Sequence, residues 1–96
     1  MPMETIVITR KTETVTTRIE DEVIVLDLEG EEYFGLEGAA RALWEYLEGG
    51  PSSFDEIVMQ WIKSFDNSQE DIHELLQETI AQLERSGLIV VERQIK

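Results

Sequence analysis

Hydrophobic and polar positions along the chain change their period once, near residue 37. Before it, Ile6-Val7-Ile8 is a short apolar run and Val15, Thr17 and Ile19 alternate with Thr14, Thr16 and Arg18. Val23-Ile24-Val25-Leu26 is nearly continuous. Alternation predicts a strand with one dry face, and the continuous run predicts a strand covered on both faces, at least in part. That makes residues 22–28 the central strand of a three-stranded antiparallel meander over about 13–36. The turn Glu20-Asp21-Glu22 leads into it and Glu29-Gly30-Glu31 leads out, with Gly30 free to take a positive φ. Ile6 to Ile8 is either a fourth strand or an extension of the first.

After residue 37 the period is helical. Ala40, Leu43, Trp44 and Leu47 form one stripe, stopped by Gly49-Gly50-Pro51. Ser53 and Glu56 have capping-box spacing ahead of a second stripe, Phe54, Ile57, Val58, Trp61 and Phe65. A third helix opens at Ser68 with Asp71 in its first turn, carries Ile72, Leu75, Leu76, Thr79, Ile80 and Leu83, and closes at Gly87. Residues 88–94 read as a short strand or an apolar tail. The expectation is a single α+β domain over 1–96, three strands and then three helices, in a winged helix-turn-helix-like arrangement.

At 96 residues the chain has room for one modest core. No apolar run approaches the roughly 20 residues of a membrane span. The start, MPMETIVITRK, lacks the pattern of a secretory signal, so the cytoplasm is the expected compartment. Without Cys there are no disulfides, thiolate nucleophiles or Cys-based zinc sites. Eight Lys and Arg stand against 21 Asp and Glu, a net charge of −13, which disfavours DNA, RNA and anionic membranes as partners. An acidic surface serves solubility, or a basic protein or peptide partner.

The winged-helix pattern raises DNA binding, in which the last helix would enter the major groove. Its polar face carries Glu70, Asp71, Glu74, Glu78 and Glu84, and no Lys or Arg lies between Gln69 and Glu84. The charge argues against it. His73, the single His, sits one turn after Glu70; a Glu-x-x-His pair binds iron only with a second pair and further Glu residues. Asp66-Asn67-Ser68 begins like a calcium loop but lacks its central Gly and terminal Glu. There is no phosphate loop, Ser nucleophile elbow or HExxH. No metal, cofactor or catalytic residue is expected, and the chain reads as a binding protein rather than an enzyme.

The remaining signal is the stretch VLDLEGEEYFGL, residues 25–36. Tyr33 and Phe34 are adjacent and point to opposite faces of a strand. In a three-stranded meander residues 32–36 are also an edge with free N–H and C=O groups. Glu31 and Glu32 either defend that edge by charge or flank a rail on which an extended peptide adds a strand.

The run Val25-Leu26-Asp27, Gly30, Tyr33-Phe34, Leu36, Ala39-Ala40 and Leu43-Trp44, with Gly87-Leu88 closing the third helix, resembles the PqqD-like recognition elements of modified-peptide (RiPP) biosynthesis. The likeness spans residues 15–91 and is greatest to the stand-alone proteins of lasso-peptide pathways. One departure is Glu37, where such proteins commonly carry an Asn that caps the first helix; Glu is a weaker cap. The resemblance implies a non-catalytic module that binds the leader segment of a ribosomally made precursor as an added strand. It also implies delivery of that leader to a leader peptidase and a cyclase. The rail would be Glu31, Glu32, Tyr33, Phe34 and Gly35. The opposing wall would come from the third helix, with Leu76, Ile80 and Leu83 leaning to the cleft, Thr79 beside them, and Ile72, Leu75 and Thr79 turning inward. Glu29, Glu31 and Glu32 would suit Lys or Arg on the leader or on the enzyme. A winged-helix regulator or an accessory subunit acting through protein contacts is the alternative.

Overall fold

The computed structural model describes residues 4–65 and 68–95. The chain runs β1 (Glu4–Arg10), β2 (Thr14–Ile19), β3 (Glu22–Asp27), β4 (Glu32–Leu36), α1 (Gly38–Tyr46) and a 3-10 turn at Leu47–Gly49. It continues with β5 (Ser52–Ser53), α2 (Phe54–Ser64), α3 (Gln69–Arg85) and β6 (Ile89–Ile95). The expected meander is present, in the order β2-β3-β4, and the class is α+β.

A second sheet, β5-β1-β6, resolves the open question about Ile6 to Ile8. The apolar tail is a full strand that pairs antiparallel with β1 along its length, from Glu4 opposite Ile95 to Arg10 opposite Ile89. Residues 4–10 are therefore a partner for the C-terminal end of the chain and not an extension of the meander. Sequence separation hid this pairing, since local periodicity says nothing about which strands meet.

Helix ends follow local chemistry. The Ser53 side chain accepts from the Glu56 N–H at 3.2 Å and Ser68 accepts from the Asp71 N–H at 3.3 Å, so each satisfies an orphan donor of its helix. Gly87, at φ +77, ends α3 in the left-handed conformation that only Gly takes without steric cost. Glu37 makes no side-chain cap, and α1 starts with its Glu37 carbonyl accepting from Arg41 N–H at 3.3 Å.

One core joins the two sheets to the helices. Ile8, Val23, Val25, Leu43, Trp44, Leu47, Ile57, Trp61, Ile72, Leu76, Leu83 and Leu88 are all buried. Trp44 at its centre donates from Nε1 to Thr16 Oγ1 at 3.0 Å, and the Arg10 guanidinium lies 4.3 Å from its ring centroid. The buried polar atom thus has a partner, and the cation covers the face that the core leaves open.

Two strand expectations are corrected. In β2 the face turned to the helices is Thr14, Thr16 and Arg18, while Val15 and Ile19 lie outside, 47% and 56% exposed. Thr16 is required by Trp44, and Arg18 reaches Glu45 at 3.1 Å, so polar partners on α1 fix the register against the hydrophobic alternation. In β3 only Val23, Val25 and Asp27 are buried; Leu26 is 38% exposed on an outer face that no element covers among the described residues.

Gly30 also has a different reason from the expected one. Glu31 takes the positive φ of the β3–β4 turn, at +54°. A Cβ at Gly30 would stand 2.9 Å from Asp27 Oδ2, because that carboxylate accepts from the Glu29 and Gly30 N–H groups at 3.1 and 3.2 Å. Lys11 Nζ closes the knot at 2.9 Å from Asp27. The Lys11 hydrogen bond, then the Gly30 N–H, hold the Asp27 carboxyl below its ordinary 3.8, while Asp27 raises Lys11 above 10.5.

A depressed carboxyl pKa contributes stability above its unfolded value and loses it as the pH falls through its folded value. Asp27→Asn is expected to melt below wild type at pH 7, with the gap closing as the pH falls below 3.8. Thermal melts by circular dichroism across that range check this, and a gap independent of pH would contradict it.

Candidate peptide-binding cleft

β4 pairs with β3 on one side only; its other edge is unpaired among the described residues. Register fixes which way its side chains point. Phe34 shares the helix-side face with Val25 and is half-buried against the core, whereas Tyr33 shares the outer face with Leu26 and is 76% exposed. Gly35, next along the strand, adds no side chain to either face.

Beyond the free edge lies a cleft of about 380 Å³. Gly35 and Glu37 border it from the end of β4, Ala39 and Ala40 from α1, and Leu75, Glu78, Thr79 and Gln82 from α3. The gap exists because its near wall is built from the smallest residues. Ala39 and Ala40 bring the α1 backbone close and leave little to fill the space toward α3, whereas the absent side chain of Gly35 belongs to the outer face, where a Cβ would meet Glu22 and Ile24. Thr79 is only 4% exposed and its hydroxyl donates to the Leu75 carbonyl at 2.7 Å, a local bond that satisfies the buried group within the helix.

The residues expected at the site separate into three groups. Glu31, Glu32, Tyr33, Phe34 and Gly35 lie on β4 or the turn before it, as the rail requires, and Thr79 lines the cleft. Leu76 and Leu83 do not: at 0% and 1% exposure they are core. Ile80 faces the opposite side of α3, in a groove of about 430 Å³ with Ile6, Phe54 and Val91. The assignment of Leu76, Ile80 and Leu83 to the cleft is thus corrected, and Leu75, placed inward, is partly buried against the core while also bordering the cleft.

The physical reason is a rotation of one position. Ile72, Leu76, Thr79 and Leu83 at i, i+4, i+7 and i+11 make the packed stripe, and Leu75, Glu78, Thr79 and Gln82 at i, i+3, i+4 and i+7 make the neighbouring cleft stripe. An apolar pattern locates a buried face but not which of two adjacent apolar lines packs. Glu37, Ala39, Glu78 and Gln82 were missed because small and polar residues carry no hydrophobic signal, and Ala40 was read only as part of the apolar stripe of the first helix.

No group of residues suited to hold a metal occurs among the described residues. His73 is half-buried with its ring centroid 5.3 Å from that of Phe54, in the groove on the far side of α3. Asp66 and Asn67, weighed as the start of a calcium loop, lie outside the described residues. No helix among them is long and apolar enough to cross a membrane.

Residues 22–89 match the family described as coenzyme PQQ synthesis protein D (PqqD), a span that takes in β3, β4 and all three α-helices, hence both walls of the cleft. Among solved structures the chain is similar to TbiB1 in complex with the TbiA(beta) leader peptide. The two are 26% identical with a TM-score of 0.75, over 84% of this chain and 93% of that one. No curated protein matches the chain.

The division of α3 makes a direct expectation. Leu76→Ala, leaving a cavity in the core, should cost about 2–5 kcal/mol of unfolding free energy, and Leu75→Ala in the cleft wall less than about 1.5 kcal/mol. Urea denaturation of the two variants measures this, and equal costs would contradict the division.

Proposed function

The chain belongs to the PqqD family, and on that premise we propose that it is a non-catalytic recognition element of the lasso-peptide type. It binds the leader segment of a ribosomally synthesised precursor peptide. The single observation that carries this is an unpaired β4 edge facing an open cleft on α3, in a fold that aligns at a TM-score of 0.75 with a protein solved holding a leader peptide.

The leader adds to the β2-β3-β4 sheet as a fourth strand beside β4. Main-chain hydrogen bonds along residues 32–36 supply register and affinity whatever the leader sequence, and alternate leader side chains enter the cleft, where α3 discriminates among them. Phe34, Gly35, Leu75 and Thr79 are the residues best placed for those contacts, with Glu31, Glu32 and Tyr33 along the rim. The leader is disordered when free and loses conformational entropy on docking, so an affinity between micromolar and nanomolar is the expectation. Having bound the leader, the protein presents the precursor to a leader peptidase and a cyclase in the cytoplasm, contributing no chemistry of its own.

Fluorescence-anisotropy titration with labelled synthetic leaders of lasso-peptide precursors tests the proposal. Wild type should bind saturably, Leu75→Asp in the cleft should weaken binding at least tenfold, and Ile80→Ala on the far side of α3 should leave it unchanged. Absence of saturable binding well above micromolar would refute the reading, and equal effects of the two substitutions would refute the placement of the site.

A further inference from the structure

The cleft beside β4 does not end at α1. Ala39 and Leu75, which border it, also border a second groove of about 470 Å³ that runs on along α1 to the end of α2. Its apolar lining is Ala39, Ala42, Phe65 and Leu75, all partly buried against the core. Phe65 is fixed there by an edge contact with Trp61, their ring centroids 5.3 Å apart. The two charged residues that border the groove, Arg41 and Glu45, are paired with each other at 2.6 Å, and Arg41 also donates to the Asp21 carbonyl. The groove is therefore apolar with a neutralised rim, unlike the cleft, where Glu37, Glu78 and Gln82 stand.

A peptide that pairs with β4 has to be held by something else past Leu36. The strand offers five residues, Glu32–Leu36, and only alternate backbone groups of an edge strand point outward. The ladder is thus short. At Gly38, with φ +56, the chain turns into α1, so a peptide longer than the strand, whichever way it runs, has one end that leaves the ladder at Leu36. Past that end stand Ala39 and Leu75, with the first turn of α1, which has no side-chain cap and so keeps N–H groups for peptide carbonyls that have left the ladder.

We propose that this second groove is a subsite for the leader: an apolar side chain of the Leu, Ile, Met or Phe class, from the segment flanking the strand-paired stretch, seats on Ala39, Ala42, Phe65 and Leu75. The inference rests on the leader-binding reading above and adds a specificity contact outside the added strand. Ladder bonds are blind to sequence, whereas a preformed apolar groove rejects a polar or charged side chain, which would be desolvated there without a partner. Arg41 and Glu45 supply none, being paired already. The small side chains of Ala39 and Ala42 leave the room that a leader side chain takes, and seating it removes apolar surface from water on both partners.

Ala42 and Phe65 border this groove and not the cleft beside β4, which makes them the positions to change. Ala42→Gln keeps a good helix former and puts a longer, polar side chain into the groove, while Ala42→Ser leaves the groove open. Both should match wild type by circular dichroism, because Ala42 is partly exposed. In anisotropy titrations with a labelled lasso-precursor leader, Ala42→Gln should weaken binding about tenfold, the worth of one buried aliphatic side chain, and Ala42→Ser should not. An alanine scan of the leader should then find one apolar residue, outside the strand-paired stretch, whose loss costs wild type about tenfold and costs Ala42→Gln nothing further. Phe65→Leu, a smaller change to the same lining, should couple to the same leader residue. Wild-type affinity in Ala42→Gln, or losses that add at every apolar leader position, overturns this proposal and leaves the leader-binding reading standing. A leader that fails to bind wild type overturns both.

Discussion

A narrow strip of side chains on α3, Ile72, Leu76, Thr79 and Leu83, fastens that helix to the body, and the cleft depends on it. With no Cys in the chain, packing holds the helix at its distance from β4. Leu75 and Ile80 flank the strip, each only partly buried against the core, so one side of the helix stays open toward Ala39 and Ala40. If the strip were narrower, the helix would lose the contacts that fix its height. Burial of three large aliphatic residues contributes on the order of 1.5–3 kcal/mol each, enough to hold one helix and too little to tolerate the loss of one member.

The opposite wall is rigid for other reasons. β4 is joined to β3 by five register pairs, and the turn between them is knotted by the Asp27 carboxylate, two backbone N–H groups and Lys11. Trp44, held by Thr16 and Arg10, anchors α1 behind β4. An edge strand with such support is preorganised: a peptide that pairs with it bears its own ordering cost but not that of the protein.

Elements of strong local period were legible in the sequence. The three helices, their Ser53 and Ser68 caps, the Gly87 stop and the β2-β3-β4 meander all follow from spacing and capping chemistry. What escaped was decided by distant partners. β1 meets β6 across almost the whole chain, β2 turns its Thr16 inward because Trp44 needs an acceptor, and Asp27 is buried because Lys11 reaches it. The candidate cleft was half legible for the same reason. The unpaired edge of β4 follows from strand order, while the far wall depends on a one-position rotation of α3 that places Glu78 and Gln82, residues without apolar signal, beside Leu75.

Strand addition at β4 is the central claim, and a walk of single backbone N-methyl groups along the synthetic leader tests it most directly. In an antiparallel or parallel pair only alternate N–H groups of the added strand point at its neighbour. The account requires anisotropy titrations in which affinity collapses at every second position across the docked stretch and survives at the positions between. Losses at consecutive positions, or small and uniform losses throughout, would mean that the peptide docks as a helix or through side chains alone, and would contradict it.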